Sequence, residues 1–333
     1  LAPGITVNNT ETRRTFAGGG ISADPNGEPL GSPQVNVFID GISLKSNLQP
    51  GGIVGQDASR GNPFSQLAVQ EFRVITSNYK AGYEDAGTAI ITAITKSGTN
   101  EFHGEAFGTF QNKSLVERDF FQKQNNQPKP DLKRYQFGAA LGGPIIKDKL
   151  FFFINYEGNI QDRSATVIPN GDAARQAAFE AASGFRLADF TGTFVQPFRE
   201  HLGFGKLTWQ VDDDNLVELT GSIRKETELR DFGGNTARSR GTDITNDTYT
   251  GKLRYKLTAD SFVNEFTADY LTLHLAFGNA AGTEFGRNYQ DVINIGGRDG
   301  FQDVRQKGLT FRDDLTFTNL GAHTVKLGAK LSL

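Results

Sequence analysis

The sequence predicts a β protein in two parts. Residues 1–100 form a small α+β unit. Residues 101–333 form part of an antiparallel transmembrane β-barrel of about nine strands, with short periplasmic turns and long external loops. Three observations predict it. From Glu101 onward, apolar and polar residues alternate with the two-residue period of a strand. The connections between these segments run long (113–132, 161–199, 229–244, 278–305) and short (143–149, 212–215, 258–261, 319–322) in strict turn. The 27 Phe and 39 Gly among 333 residues suit aromatic girdles and close strand packing. A soluble Greek-key sandwich also alternates, but has no reason to gather its tight turns at one rim.

Composition excludes several classes. Cysteine is absent, which removes disulfides, thiolate metal sites and cysteine nucleophiles. A net charge of −3 offers no basic footprint for nucleic acid. No apolar run approaches the length of a membrane-crossing helix. The mean hydropathy of −0.42 does not argue against a barrel, because half of every strand faces water and masks the apolar half. The chain starts at Leu1 and has no Met, so it is expected to be a piece or a processed product of something longer.

Within the first hundred residues, 17–61 are rich in Gly, Pro, Ser and Asn, broken by a strand at 34–40 that Gly41 turns. Residues 62–67 could open a helical turn. Residues 70–76 alternate as a strand, and 88–95 are a nearly continuous apolar run, expected to be buried on both faces. Residues 96–100 (KSGTN) separate the two parts.

Beyond that boundary the alternation is explicit. Leu207, Trp209 and Val211 oppose Lys206, Thr208 and Gln210. Val217, Leu219 and Ile223 oppose Glu218, Thr220, Ser222, Arg224 and Glu226. Leu253, Tyr255 and Leu257 oppose Lys252, Arg254 and Lys256; Val325, Leu327 and Leu331 oppose Lys326 and Lys330. Segments of about ten residues, at about 3.3 Å each and tilted near 45°, cross an apolar band of about 25 Å. Aromatics gather at strand ends (Phe102, Phe107, Phe110; Phe151, Phe152, Phe153, Tyr156). Residues 172–182 are helical and expected to pack on the outer rim. The apolar phase shifts near Tyr270, which predicts a β-bulge. Asp313 falls in phase with lipid-facing residues and is expected near a rim or beyond the bilayer.

Basic residues Lys206, Arg224, Lys252, Arg254 and Lys256 are expected to line the lumen wall, balanced by the acids Glu71, Glu84 and Asp85 or touching a substrate. Residues 212–215 (DDDN) fit a hairpin turn better than a calcium loop. The four histidines lack ligand spacing, and no phosphate loop, nucleophile elbow or acid–base pair appears. No catalysis, metal or cofactor is expected.

VQEFRVITSNY at 69–79 and AGTAIITAITKSGTNEFHG at 86–104 resemble the plug-to-barrel junction of TonB-dependent receptors, and in particular the Oar-like branch. FIDG at 38–41 resembles that branch's plug strand, and QFGAALGGPIIKDKLFFF at 136–153 with YEG at 156–158 its first barrel hairpin. RDDLTF at 312–317 with HTVKLG at 323–328 resembles a later one. The resemblance implies a plug over 1–100 and the N-terminal part of the barrel over 101–333. It carries a plug motif onto Asp40, Gly41, Glu71, Phe72 and Val74, and a junction onto Lys96, Ser97, Gly98, Thr99, Asn100 and Gly104. It further implies the bacterial outer membrane, with its lipid, as location. The activity would be active uptake of a scarce solute such as a siderophore or glycan, with TonB as partner. Residues 75–78 read ITSN where many siderophore receptors carry Arg-Gly-Pro, so no pairing of a plug arginine with barrel glutamates is carried over. Residues 5–8 do not make a TonB box, which places TonB contact outside this chain. About nine strands are too few for the family's barrel of about 22, an odd number leaves open edges, and a fragment is expected. A structural or adhesive barrel without transport, and a soluble secreted β-rich binding module, are the alternatives.

Overall fold

The computed structural model describes residues 35–46, 53–56, 59–78, 83, 89–118, 123–124, 129, 131–282, 284–289, 291–321 and 323–333, and four short strands before them as backbone. Those four, β1 (Ile5–Asn9), β2 (Arg14–Gly18), β3 (Ser22–Ala23) and β4 (Pro29–Leu30), pair as two antiparallel ribbons.

The strands β5 (Val35–Ile39), β6 (Ile42–Ser43), β7 (Val69–Ile75) and β8 (Ala89–Thr95) form one sheet in the order β6-β5-β8-β7. β5 and β8 run parallel, and the other pairs are antiparallel. Asp40 and Gly41, with φ of 48° and 87°, make the tight β5–β6 turn, which needs left-handed backbone at both positions. The apolar run of β8 is central as its composition demands, but it is not covered along its length. Ala89 and Ile90 are buried, while Ile94 is 52% exposed at the lumen end. The helical turn expected at 62–67 is absent. That segment is irregular, and its backbone donors are satisfied by the wall described below.

The larger sheet has nine antiparallel strands, each hydrogen-bonded to its neighbours in sequence. They are β9 (His103–Asn112), β10 (Leu132–Ile146), β11 (Leu150–Val167), β12 (Gly192–Gln210), β13 (Asn215–Arg230), β14 (Thr242–Thr258), β15 (Phe262–Asn279), β18 (Gln302–Leu320) and β19 (His323–Ser332). The small hairpin β16 (Arg287–Tyr289) and β17 (Ile293–Ile295) lies within one long connection. Turns and loops alternate as the sequence predicts. The seven strands between the edges run 15 to 19 residues, not about ten. Their upper parts rise above the apolar belt, where outward residues such as Lys225, Asp247 and Arg305 are polar and no apolar period reports the strand.

The belt itself is a register feature. Phe152, Leu207, Leu219, Leu253, Ala268, Phe311 and Leu331 are successive cross-strand partners on the outer face. Leu207, Leu253 and Leu327 are 40%, 42% and 58% exposed, with no second layer over them among the described residues. An uninterrupted apolar row of this kind is costly in water and suits hydrocarbon. Asp313 also faces outward, where its carboxylate accepts a hydrogen bond from Asn264 Nδ2 at 2.7 Å.

No bulge interrupts β15, whose register with both neighbours is continuous. The apolar phase changes because the apolar environment changes sides. Low on the strand, Phe266 and Tyr270 face outward. Higher up, Leu271, Leu273 and Leu275 are buried against Val37, Ile39, Ile42, Leu44, Ile53 and Val54 of the N-terminal sheet. Phe107 and Phe153 likewise point inward and not to a girdle. Phe107 lies over Gly138, and Phe153 packs with Ala68 and Phe204.

Above the wall, α1 (Ala173–Ser183) is capped by Asp172, whose side chain accepts from Arg175 N, and closed by Gly184 in the left-handed region. Its Phe179 meets Val167, Leu229, Phe232 and the β16–β17 hairpin in one apolar cluster. At the opposite rim, Asp212 Oδ1 accepts from Asn215 Nδ2 at 2.7 Å and from the N–H groups of Asp214 and Asn215. These bonds, the one from Asn215 first, hold that carboxyl below its usual range and shape the turn.

Candidate functional site on the inner wall

Two polar contact zones join the N-terminal part to the inside of the nine-stranded wall. The lower zone is centred on the Asp40 turn. Asp40 Oδ1 accepts from Thr95 N at 2.9 Å and Oδ2 from the Thr95 hydroxyl, tying β5 to β8. Lys206 Nζ lies 3.7 Å from Asp40 Oδ2 and 3.3 Å from Glu218. Lys252 Nζ donates to the Asp40 carbonyl at 2.7 Å and lies 3.5 Å from Asp269. A Cβ on Gly41 would stand 3.2 Å from that ammonium, so glycine serves both the turn and the approach. Arg254 bridges Glu218 and Glu265 at 2.5 and 2.9 Å.

The upper zone was not foreseen. Asn159, Glu200, Glu226 and Asn246 are cross-strand partners on β11, β12, β13 and β14, all facing inward and all buried. Gly55, Ser59 and Asn62 of the inner segment meet this row in reverse order. Asn246 Nδ2 donates to Gly55 O at 2.7 Å, Ser59 Oγ to Glu226 Oε2 at 2.5 Å, and Asn62 N to Glu200 Oε1 at 2.7 Å. Glu157, on the neighbouring row, accepts from Ser65 Oγ at 2.5 Å and Leu67 N at 2.6 Å. Arg60 pairs with Glu228. Arg224 sits among these acids, 2.8 Å from Glu226 and 3.9 Å from Glu200. Buried carboxylates with backbone and hydroxyl donors make short, directional bonds, so this row can seat an irregular segment without a regular sheet.

The junction residues gather against the β10–β11 hairpin. Lys96 N donates to Ala68 O at 2.7 Å, and its ammonium pairs with Glu105. Thr99 Oγ1 donates to Glu101 O at 3.0 Å. Asn100 Nδ2 donates to Asp148 Oδ1 at 2.5 Å and its Oδ1 accepts from Asp148 N at 2.8 Å. Ser97 lines the lower lumen, and a Cβ on Gly104 would stand 3.2 Å from Ala140 O. A Cβ on Gly98 would stand 2.3 Å from Phe152 O and 2.7 Å from Gly143 O, backbone atoms that cannot rotate away. Gly98→Ala is therefore expected to cost about 1–3 kcal/mol, as overpacking does. Chemical denaturation of the full-length protein in lipid checks it; wild-type stability would refute the close approach.

The expected charge balance is arranged differently. Glu71 lines the same lower cavity as Lys206, Lys252 and Arg254, but its ion pair is made on its own strand. It is exposed and lies 3.3 Å from Arg73 on its own strand. Phe72 is 68% exposed, while Val74 packs against Val35 and Ala89. Glu84 and Asp85 lie outside the described residues. The wall neutralises itself through Glu218, Glu265 and Asp269, with Asp40 as the acid supplied from inside. Alternating acids and bases on adjacent strands relieve self-repulsion at once, whereas acids on a separate unit arrive only on docking. Lys256 is half-buried on the inner face of β14, level with Leu216. Among the described residues no cluster of three or more His, Asp or Glu side chains could hold a metal ion.

Residues 94–205 match the family model described as an outer membrane beta barrel domain. Over 203 residues the chain is 35% identical to the TonB-dependent transporter Oar of Myxococcus xanthus; the match covers 56% of this chain and 18% of that protein. The outer membrane transporter YddB of Escherichia coli is structurally similar, with a TM-score of 0.71 at 13% identity over 98% of this chain and 44% of that one. The siderophore receptor PirA of Acinetobacter baumannii gives 0.63 at 17% identity, over 99% and 44%. The chain thus spans under half the length of these solved structures and about a fifth of the curated relative.

Proposed function

The chain is a homologue of TonB-dependent transporters and carries an outer-membrane β-barrel domain; from that premise, we propose that residues 1–100 act as a plug gating the passage of a scarce solute through the barrel. External loops would capture the solute, and TonB, acting from the periplasm, would draw the plug aside. No bond is made or broken in this reading, and the chain is no enzyme. The junction at 96–100 and Gly104 would be the hinge post that stays with the wall. Asp40 and Gly41 would mark the lower seat, with Lys206 and Lys252 as its wall partners.

The observation that supports it is the upper row of Asn159, Glu200, Glu226 and Asn246. Gly55, Ser59 and Asn62 of the inner segment are held there by individual polar bonds, with no sheet ladder to the wall among the described residues. Bonds of that kind exchange for water one at a time, so the segment can leave and return without unfolding the wall.

This chain has no cysteine, so an introduced thiol can be read directly once any cysteine elsewhere in the full-length protein is replaced by serine. Ser59 is fully buried beneath Glu226. In cells producing the full-length protein with Ser59→Cys, a membrane-impermeant maleimide should label the thiol slowly at rest. Labelling should rise at least about tenfold when TonB is energised, because modification follows the open population. A protonophore should abolish the rise. Equal labelling with and without energy would end the gating reading.

A further inference from the structure

Two acids of the upper row, Glu200 and Glu226, are cross-strand partners on β12 and β13, with side chains 1% and 0% exposed. One guanidinium, that of Arg224, stands with them. We propose that this pair is a proton-linked clasp: a proton held at Glu200 firms the seat of the inner segment, and its loss at higher pH loosens that seat.

The surroundings of Glu200 disfavour a bare charge. On its own strand Phe198 and Leu202 flank it on the inner face, both buried. Asn159 Nδ2 from β11 donates to its Oε2 at 3.2 Å, and Asn62 N from the inner segment to its Oε1. Gly61 passes so close above that a Cβ there would meet both carboxylate oxygens, which shuts out water. From β13, Arg224 gives its nearer contact, 2.8 Å, to Glu226 and stands 3.9 Å from Glu200. The neighbouring acids have other partners: Glu228 pairs with Arg60 and Arg230, and Glu157 accepts from Ser65 and Leu67. Glu226 Oε1 is buried with no donor among the described residues, and a proton between the two carboxyls would supply one. The row is level with His201 and Lys225, which point outward above the apolar belt, so the pair lies outside the hydrocarbon. Burial first, and then the Glu226 charge, push the Glu200 carboxyl up to about 7, against the pull of Arg224.

Lifting the segment would return Glu200 to water and to the ordinary glutamate range, near about 4.3. The seated state therefore binds the proton more tightly than the released one. Its extra hold is complete below that ordinary range and is lost as pH rises through about 7. The linkage belongs to the seat and needs neither TonB nor a solute. Only its consequence for transport, a plug drawn aside more readily at higher pH, rests on the gating reading.

The test is amide hydrogen exchange of the full-length protein in detergent micelles from about pH 5 to about pH 8, each rate divided by the intrinsic chemical rate at that pH. Protection of Asn62 N should fall at least about tenfold across the range, within the limit of tenfold per pH unit that one proton allows. Protection of Lys96 N, bonded to Ala68 O in the junction, should stay constant. Glu200→Gln, a neutral stand-in for the protonated carboxyl, should keep Asn62 protected at both ends of the range. Glu226→Gln, which removes the repelling charge, should move the fall to lower pH. Equal protection of Asn62 at both ends in the wild type, an equal fall at Lys96, or an unaltered pH dependence in both variants overturns the clasp. Where Glu200→Gln fails to seat the segment at any pH, Glu226→Gln decides: a shifted fall supports the clasp and an unshifted one overturns it. The maleimide experiment on Ser59→Cys, run at one pH, reads energised opening alone, so the two ideas can fail separately.

Discussion

Arg224→Leu is expected to loosen the seated segment by about 3–5 kcal/mol, the cost of removing one partner from a buried ion pair. The Arg224 side chain is 3% exposed, and those of Glu226 and Glu200 are 0% and 1% exposed. Deleting the cation leaves two buried carboxylates facing each other across β12 and β13, directly beneath the segment they hold. The readout is amide hydrogen exchange in the full-length protein, at Asn62 and Leu67, whose N–H groups donate to wall glutamates. Exchange there should speed up by about two to four orders of magnitude, at 1.36 kcal/mol per tenfold. Arg224→Leu combined with Glu226→Gln should recover part of the loss, because a neutral amide needs no counter-charge. Undiminished protection in the single variant would show that the row does not seat the segment.

Leu253→Arg should destabilise the protein in a phospholipid bilayer by about 2–4 kcal/mol, the penalty for a cation on the lipid face at mid-depth. Leu253 stands between Leu219 and Ala268 in the outward row, 42% exposed and outside every apolar cluster of the described residues. The control is Lys225→Ala, on the same outer face of β13 but above the belt, expected within about 0.5 kcal/mol of wild type. Equilibrium denaturation from lipid vesicles measures both. Two similar values would mean that the apolar row does not lie in hydrocarbon, and the membrane reading would fall with it.

The parts of the fold that were legible in the sequence are those written in a local period. The alternation of Leu207 with Lys206, or of Leu253 with Lys252, reports which side chains point out and which in, because adjacent residues of any strand face opposite ways. Strand length was less legible. Above the belt, outward Lys225 and inward Arg224 are both charged, and the contrast disappears. The β15 phase shift looked like a bulge because one strand's periodicity cannot distinguish a change of register from a change of surroundings. Leu271, Leu273 and Leu275 turn apolar on the inner side because a second unit covers them. Of the junction, the motif was visible, but the reason for Gly98 was not. Its neighbours Gly143 and Phe152 lie roughly forty-five to fifty-five residues on, across a hairpin.

The seat of the inner segment was the least legible of all. Glu200 and Glu226 occupy ordinary inward positions in amphipathic strands, where acids are usually solvated, and their partners Asn62 and Ser59 are 138 and 167 residues away. Nothing local marks such pairs. The chain's own order of residues settled the antiparallel wall, its tight and long rims and the face each strand turns to lipid, because a two-residue period and turn chemistry act over a few neighbours. Folding in three dimensions decided which interior charges meet, since those contacts depend on strand register and on the path of a segment that has no repeating pattern.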